Sequence, residues 1–288
     1  VKFFAVGGTK LPDAVETRVE AELTALSADG GIATVPAIRR GVISADSTAI
    51  DGYCDHLVAM FANAGLSGLR VVLDCANGAM SEVAPSVLER LGIDVVAGHA
   101  APDGRNINDA CGATHPQAMY ERVIAEGADI GLAFDGDGDR VIAATERSLI
   151  DGDRLLAIVA PFLHRSGRLP GDAVVVTVMS NLGFRQAMQR HGIRIVETAV
   201  GDRYVLEALE QGGLVLGGEQ SGHIIVRDRA TTGDGLLAGL LLLEVARAEG
   251  GELGSLASAA MTSYPQVLVN VRTGRRDPEV ARLIADEI

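Results

Sequence analysis

Residues 132–142 read LAFDGDGDRVI and set Asp135, Asp137 and Asp139 on alternate positions, with glycines between them and Arg140 directly after. Three like charges this close repel one another unless a cation sits among them. Alternating glycine lets the backbone curl until the carboxylates converge on one point. Hard oxygen ligands select a hard cation, so Mg²⁺ or Ca²⁺ is favoured over zinc. Three carboxylates nearly cancel a divalent ion and leave coordination positions for a phosphate oxygen, which suits Mg²⁺. A calcium hand is the rival: the aspartates match its first three ligand positions and Glu146 falls at the twelfth. Its sixth position needs glycine for a sharp turn, however, and here it is Arg140, while the flanks read as a strand and a hairpin. A solvated acidic turn without metal is the plainest reading of a bare triplet. Against it, the apolar run at 130–134 anchors this triplet to a core strand.

A second constellation lies at 214–226, LVLGGEQSGHIIV, a buried-strand pattern broken by a polar turn. Gly217 and Gly218 allow backbone to approach a ligand closely, and Glu219, Gln220, Ser221 and His223 present donors and acceptors in a short arc. A carboxylate beside a hydroxyl can hold two neighbouring sugar hydroxyls. The plain alternative is a hairpin turn with solvated side chains. In AVGDRYVLEAL, Asp202 reads as a helix cap and Arg203 as a group able to reach an anion. The turn CANGAMSEVA opens a helix whose amides could attract an anion, and it reads as mainly structural. His99, His115 and His191 show no ligand spacing and read as surface or core residues.

These residues must be positioned by regular elements. A helix is expected over 12–27, with Val15, Val19, Leu23 and Leu26 at helical spacing, then an extended stretch at 41–50 and an amphipathic helix ending at Gly65. From 69 onward strands and helices alternate, and Pro85 is expected in the first turn of its helix. The segments VVLDCANGAMSEVAPSVLERLGIDVV and VVVTVMSNLGFRQAMQRHGIRIV share a strand, an Asn-containing turn, a helix, a Gly-Ile step and a strand. The expected fold class is α/β, with two similar αβα domains carrying mixed, mainly parallel sheets, and partial flanking domains. The expected boundaries are 1–49 for the remnant of a first domain and its linker, 50–148 and 149–262 for the two αβ domains, and 263–288 for the start of a fourth. Both polar loops fall at carboxyl ends of strands, where ligands gather in such sheets.

The composition limits the partners. Of the 288 residues 48% are hydrophobic and 3% aromatic, so the core is built from Ala, Val, Leu and Ile. A net charge of −13 argues against nucleic acid or an anionic membrane surface, and it requires a locally positive pocket for any anionic substrate. Cys54, Cys75 and Cys111 are widely spaced with no CxxC pair, and read as reduced thiols of a cytoplasmic protein. No signal peptide is visible. The apolar run at 236–245 is too short to span a bilayer and contains Glu244.

Taken together, the stretches VKFFAVGGTKLPD, VVLDCANGA, PDGRNINDACGATHP, LAFDGDGDR, AVGDRYV, GGEQSGH and TTGDGLLAGL resemble the α-D-phosphohexomutase superfamily, in family order over essentially the whole chain. Gln220 and the loop NINDACGATHP favour its glucosamine-phosphate branch over the mannose and glucose branches. The resemblance implies an isomerase that interconverts glucosamine 6-phosphate and glucosamine 1-phosphate through a phosphoserine enzyme and a bisphosphate intermediate, for amino-sugar nucleotide and cell-wall precursor synthesis. It implies Mg²⁺ held by Asp135, Asp137, Asp139 and the serine phosphate, and charge stabilisation by Arg140. Glu219 and Ser221 would grip sugar hydroxyls, with Gly218, Arg203 and His223 in the same substrate site. The expected partner is a phosphorylated hexosamine, with no nucleic acid and no membrane, and a homodimer left open. The family's T-x-S-H-N-P-like serine loop and R-x-S-G-T-E-P-like phosphate loop do not occur in these residues. The chain alone is therefore expected to bind Mg²⁺ weakly and turn nothing over. The competing readings are a phosphomannomutase or phosphoglucomutase, and a non-catalytic module that binds metal or sugar phosphate.

Overall fold

The computed structural model describes residues 5–8, 11–28, 44, 48–250 and 252–267. Helix α1, Asp13–Ala28, forms where Pro12 fixes its entry, but its stripe of Val15, Val19, Leu23 and Leu26 is exposed. Most of the expected extended stretch at 41–50 lies outside the described residues, and its last three residues belong instead to α2, Thr48–Phe61. The anticipated start of a fourth domain lies outside them from residue 268 onward.

Two mixed sheets follow. The first contains β1 (Arg70–Asp74), β2 (Asp94–Gly98), β3 (Ile130–Phe134), β4 (Val141–Ala144) and β5 (Leu149–Ile150), in the order β2-β1-β3-β4-β5. The second contains β6 (Ala173–Thr177), β7 (Arg194–Thr198), β8 (Leu216–Gly218) and β9 (Ile224–Val226), in the order β7-β6-β8-β9. In both sheets the first strand is flanked by parallel neighbours and the last pairings are antiparallel. The polar loops at 135–140 and 219–223 therefore occupy the same place in each sheet, between its third strand and the antiparallel strand beside it.

The central strands β3 and β6 are buried on both faces, as a covered sheet requires, while the edge strands β2 and β7 stay partly exposed. The outer face of the first sheet, with Val72 and Ala133, packs on α4 (Gln117–Glu126) through Met119 and Val123. The outer face of the second, with Val175 and Ile225, packs on α7 (Asp202–Gly212) through Val205 and Leu209. The inner faces share one core. Into it go α3 (Met80–Arg90), α5 (Gly152–Arg165), α6 (Leu182–Arg190) and α8 (Gly235–Ala248). Helix α8, GLLAGLLLLEVARA, buries residues around most of its circumference and touches strands of both sheets. Among the described residues no helix is long and apolar enough to cross a membrane. A short helix α9, Leu253–Ala260, packs on α5.

Pro85 is the sixth residue of α3 and not part of its first turn. The helix starts early because Ala79 is already helical (φ −60°, ψ −26°) and donates its amide to the Gly136 carbonyl of the aspartate loop at 2.9 Å. The missing Pro85 amide leaves the Ser81 carbonyl without its helical partner.

The two domains meet along a main-chain seam. Val141 N donates to Gly222 O at 3.1 Å and Gly235 N to Gly138 O at 2.9 Å, while Gly152 N donates to Gln220 O at 3.0 Å within the second of them. Arg140 and His223 form an antiparallel bridge. Gly222 has φ +91°, and a Cβ there would collide with the Val141 carbonyl. Gly222→Ala is expected to lower stability by roughly 1–3 kcal/mol through overpacking and left-handed strain, read as a lower urea midpoint at unchanged slope.

Candidate active site

The aspartate loop is a tight turn hung between β3 and β4. Gly138, at φ +76°, lets its amide return to the Asp135 carbonyl at 3.1 Å. The Asp135 carboxylate accepts the Arg140 amide at 3.1 Å. One oxygen from each of Asp135, Asp137 and Asp139 lies within 4.8 Å of the others. Asp135 is buried, Asp139 half-buried and Asp137 exposed, so the trio opens outward from a fixed base. Burial pushes the Asp135 carboxyl above its ordinary range, and the neighbouring Asp139 and Asp137 charges add to that. Against three carboxylates stands Arg140, whose Nε is 3.7 Å from Asp135 and 3.8 Å from Asp139. That buried Nε has no hydrogen-bond partner among the described residues. All-oxygen donors with excess negative charge fit a hard divalent cation, and Mg²⁺ is the ion they suit. The calcium hand fails on geometry: Glu146 lies beyond β4 and pairs with Arg147 at 2.9 Å.

Across the seam, Glu219 and Ser221 line a cavity of about 500 Å³ together with Arg140, Thr177, Met179, Val200 and Gln220. Glu219 Oε1 accepts the Gly201 amide at 3.1 Å, which ties this loop to the turn before α7. Gln220 contributes to the wall, but its amide is directed at Asp151 and Gln266, each at 3.3 Å. Thr177, Met179 and Val200 were not singled out from the sequence. The available signal was their place at or just beyond the carboxyl ends of β6 and β7.

The remaining residues stand behind this wall. Gly218 is buried as the last residue of β8. His223 is 3% exposed, with Nδ1 3.6 Å from Asp139 and Nε2 3.8 Å from Asp202. Arg203 donates to the Leu11 carbonyl at 2.9 Å and faces Glu207 at 3.6 Å. Asp202 is not the cap of α7: it is the first helical residue, the cap position is Gly201, and the Asp202 carboxylate accepts the Arg203 amide. The amides of CANGA are consumed internally, Gly78 N by Cys75 O and Ala79 N by Gly136 O, as a structural turn requires. His99 is more than a surface residue, because its Nδ1 meets the buried carboxylate of Asp74 at 3.0 Å. Cys54, Cys75 and Cys111 are free, buried thiols.

One more carboxyl lies in the first turn of α5. Asp153 is fully buried; its Oδ2 accepts the Asn181 amide at 2.6 Å, while its Oδ1 has no partner among the described residues. Asn181 in turn holds Tyr264 through both main-chain groups. Desolvation lifts the Asp153 carboxyl to about 6, and the nearby Asp151 charge adds to the rise.

Two α/β/α domains that bring a carboxylate loop and a polar Glu–Gln–Ser loop together across one seam define a narrow class. Residues 51–148 match the phosphoglucomutase/phosphomannomutase α/β/α domain II, and residues 151–264 match domain III. The chain belongs to the α-D-phosphohexomutase family. It is 49% identical over 282 residues to a phosphoglucosamine mutase of Moorella thermoacetica, covering 98% of this chain and 63% of that protein. The chain thus spans less than two thirds of this relative's length. Among solved structures it is similar to a phosphoglucomutase/phosphomannomutase family protein of Burkholderia thailandensis, with TM-score 0.64, 27% identity and coverage of 76% of this chain and 47% of that one. It shares its fold with an Aspergillus fumigatus N-acetylphosphoglucosamine mutase crystallised with GlcNAc-6P and magnesium, with TM-score 0.63, 20% identity and coverage of 79% and 52%.

A raised carboxyl pKa means that the folded chain holds its proton more tightly than the unfolded one. For Asp153 stability is therefore greatest below the ordinary value of 3.8 and falls as pH rises toward about 6. Asp153→Asn should remove that slope, so its unfolding free energy in urea titrations gains on the wild type between about pH 4 and pH 7, by up to roughly 3 kcal/mol.

Proposed function

We propose that this chain carries the metal-holding and sugar-holding domains of a phosphohexomutase acting on glucosamine phosphates, in which a phosphoryl group moves between the sugar's two phosphate positions. The reading rests on one fact. The carboxylate loop and the Glu219–Ser221 loop meet at the antiparallel bridge between Arg140 and His223, with Arg140 lining the cavity that Glu219 and Ser221 also line.

In this reading Asp135, Asp137 and Asp139 hold Mg²⁺, which supplies charge neutralisation to a transferring phosphoryl group when bound. Arg140 adds a fixed positive charge on the cavity side of the loop, where preorganised charge lowers a barrier most effectively. Glu219 accepts from sugar hydroxyls, and Ser221 both donates and accepts. Gly218, Arg203 and His223 support the site from behind: Gly218 ends the strand that delivers Glu219, Arg203 anchors the turn bonded to Glu219, and His223 fills the space between Asp139 and Asp202. Met179 and Val200 give the sugar an apolar wall. The 49% identity with the Moorella phosphoglucosamine mutase supports glucosamine as the hexose.

Calorimetry tests the reading directly on this chain. Mg²⁺ titration should give saturable heat that Asp137→Asn removes. Glucosamine 6-phosphate should bind more tightly with Mg²⁺ present, and Glu219→Ala should weaken it about tenfold, equal to about 1.4 kcal/mol. Equal binding of glucose and mannose 6-phosphates would shift the assignment to a broader hexose mutase. No magnesium uptake at all would sink it.

A further inference from the structure

We propose that Asp74, His99 and Cys111 form a second metal site, built for a zinc-like ion and separate from the aspartate loop. Asp74 ends β1, His99 follows β2, and Cys111 precedes a single 3₁₀ turn at Gly112–Thr114. One ligand atom from each lies within 4.8 Å of the others, and the His99 Nδ1 to Asp74 Oδ2 distance is 3.0 Å. Asp74 and Cys111 are buried while His99 is half open to solvent, so the set has a closed floor and an accessible mouth.

The donor chemistry separates this cluster from the magnesium loop. Imidazole, thiolate and one carboxylate suit zinc and its relatives, whereas Mg²⁺ prefers oxygen alone. Three protein ligands leave one position of a tetrahedral ion open. A cavity of about 120 Å³, lined by Asp74 and His99 with Met119 and Arg122 among its other walls, adjoins the pair and has room for that fourth ligand. The carboxylate is already oriented: Asp74 Oδ1 accepts the Ala76 amide and Oδ2 the Gly112 amide, both at 3.0 Å. Oδ1 keeps a further lone pair for a metal and Oδ2 gains one when His99 turns away, with the amides giving the outer-shell arrangement that sharpens metal sites.

Binding replaces protons by the ion. The Cys111 S–H bond breaks, a sulfur–metal bond forms and that proton leaves to solvent; the His99 ring gives up the Nδ1 proton that it donates to Asp74, its Nε2 carries the remaining ring proton, and the freed Nδ1 lone pair binds the metal. The loop between His99 and Cys111 carries Ile107 and Asn108, which crowd Gly136 of the aspartate loop. An ion that ties both ends of this loop to β1 therefore braces the magnesium site without touching it. This inference stands whether or not the mutase reading holds.

Cobalt(II) reports the site in the intact chain, with thiols reduced and Mg²⁺ in excess to occupy the aspartates. The expected signal is a near-ultraviolet thiolate-to-cobalt charge-transfer band that saturates at one equivalent and is erased by Zn²⁺. Cys111→Ser should abolish it, Asp137→Asn should leave it intact, and His99→Ala should weaken cobalt affinity at least about tenfold. His99 is exposed, so its variant reads the site even if the Cys111 variant fails to fold. Absence of the band in the folded wild type overturns the proposal, as does a band that survives Cys111→Ser or an affinity unmoved by His99→Ala. In each case the cluster is an Asp–His pair that only closes the loop.

Discussion

The seam of main-chain hydrogen bonds between Val141 and Gly222 and between Gly235 and Gly138 sets the relation between the two loops. Backbone contact fixes position more tightly than long side chains can, because no rotamer stands between the two partners. Behind the seam, α8 is shared by both sheets, and its first turn carries both the Gly235 amide and Asp234. Asp234 caps α8 through the Leu237 amide and accepts the Tyr53 hydroxyl from α2. The apolar core and the polar seam thus act on the same few residues, and neither loop can shift without disturbing α8.

Electrostatics explains why this rigidity is needed. The chain carries 38 acidic against 25 basic residues, so an anionic ligand approaches a repulsive molecule. The aspartate loop makes that worse locally until a cation enters. Arg140 is held in a place where its charge counts twice, 3.7 Å from Asp135 on one side and lining the cavity of Glu219 and Ser221 on the other. A flexible loop would relieve the repulsion by swinging its carboxylates into water. Anchoring Asp135 to the Arg140 amide at the end of a buried strand opposes that, and burial together with the Asp139 and Asp137 charges holds its carboxyl above the ordinary range.

Much of this was legible in the sequence, for identifiable reasons. The aspartate triplet announced itself by spacing, and the strands by apolar runs such as IGLAF and AVVVT. The likeness of the two halves was visible in their shared strand–turn–helix order. The seam was not, because Gly138, Gly222 and Gly235 contribute only backbone, and backbone leaves no side-chain pattern. The orientation of Gln220 was hidden for a related reason: its partners Asp151 and Gln266 lie 69 and 46 residues away. His99 read as an isolated histidine because its partner Asp74 closes a loop from the neighbouring strand. Asp202 read as a cap by residue type, whereas Gly201, with φ +134°, turns the chain one residue earlier.

The equivalent placement of the two loops suggests why the site sits where it does. Each sheet ends its third strand in a hairpin whose return strand runs antiparallel, and the two return strands meet at Arg140 and His223. A repeated unit that pairs through this hairpin brings two copies of one loop face to face. Once paired, the loops can diverge in chemistry without any change in architecture, one gathering carboxylates and the other a glutamate and a serine. Divergence is limited by the positions that touch: a side chain at 222 meets the Val141 carbonyl, and one at 235 meets the Arg140 carbonyl. The residues left to vary are those aimed into the cleft, so the chemistry of the site is carried by side chains while its geometry is carried by glycine.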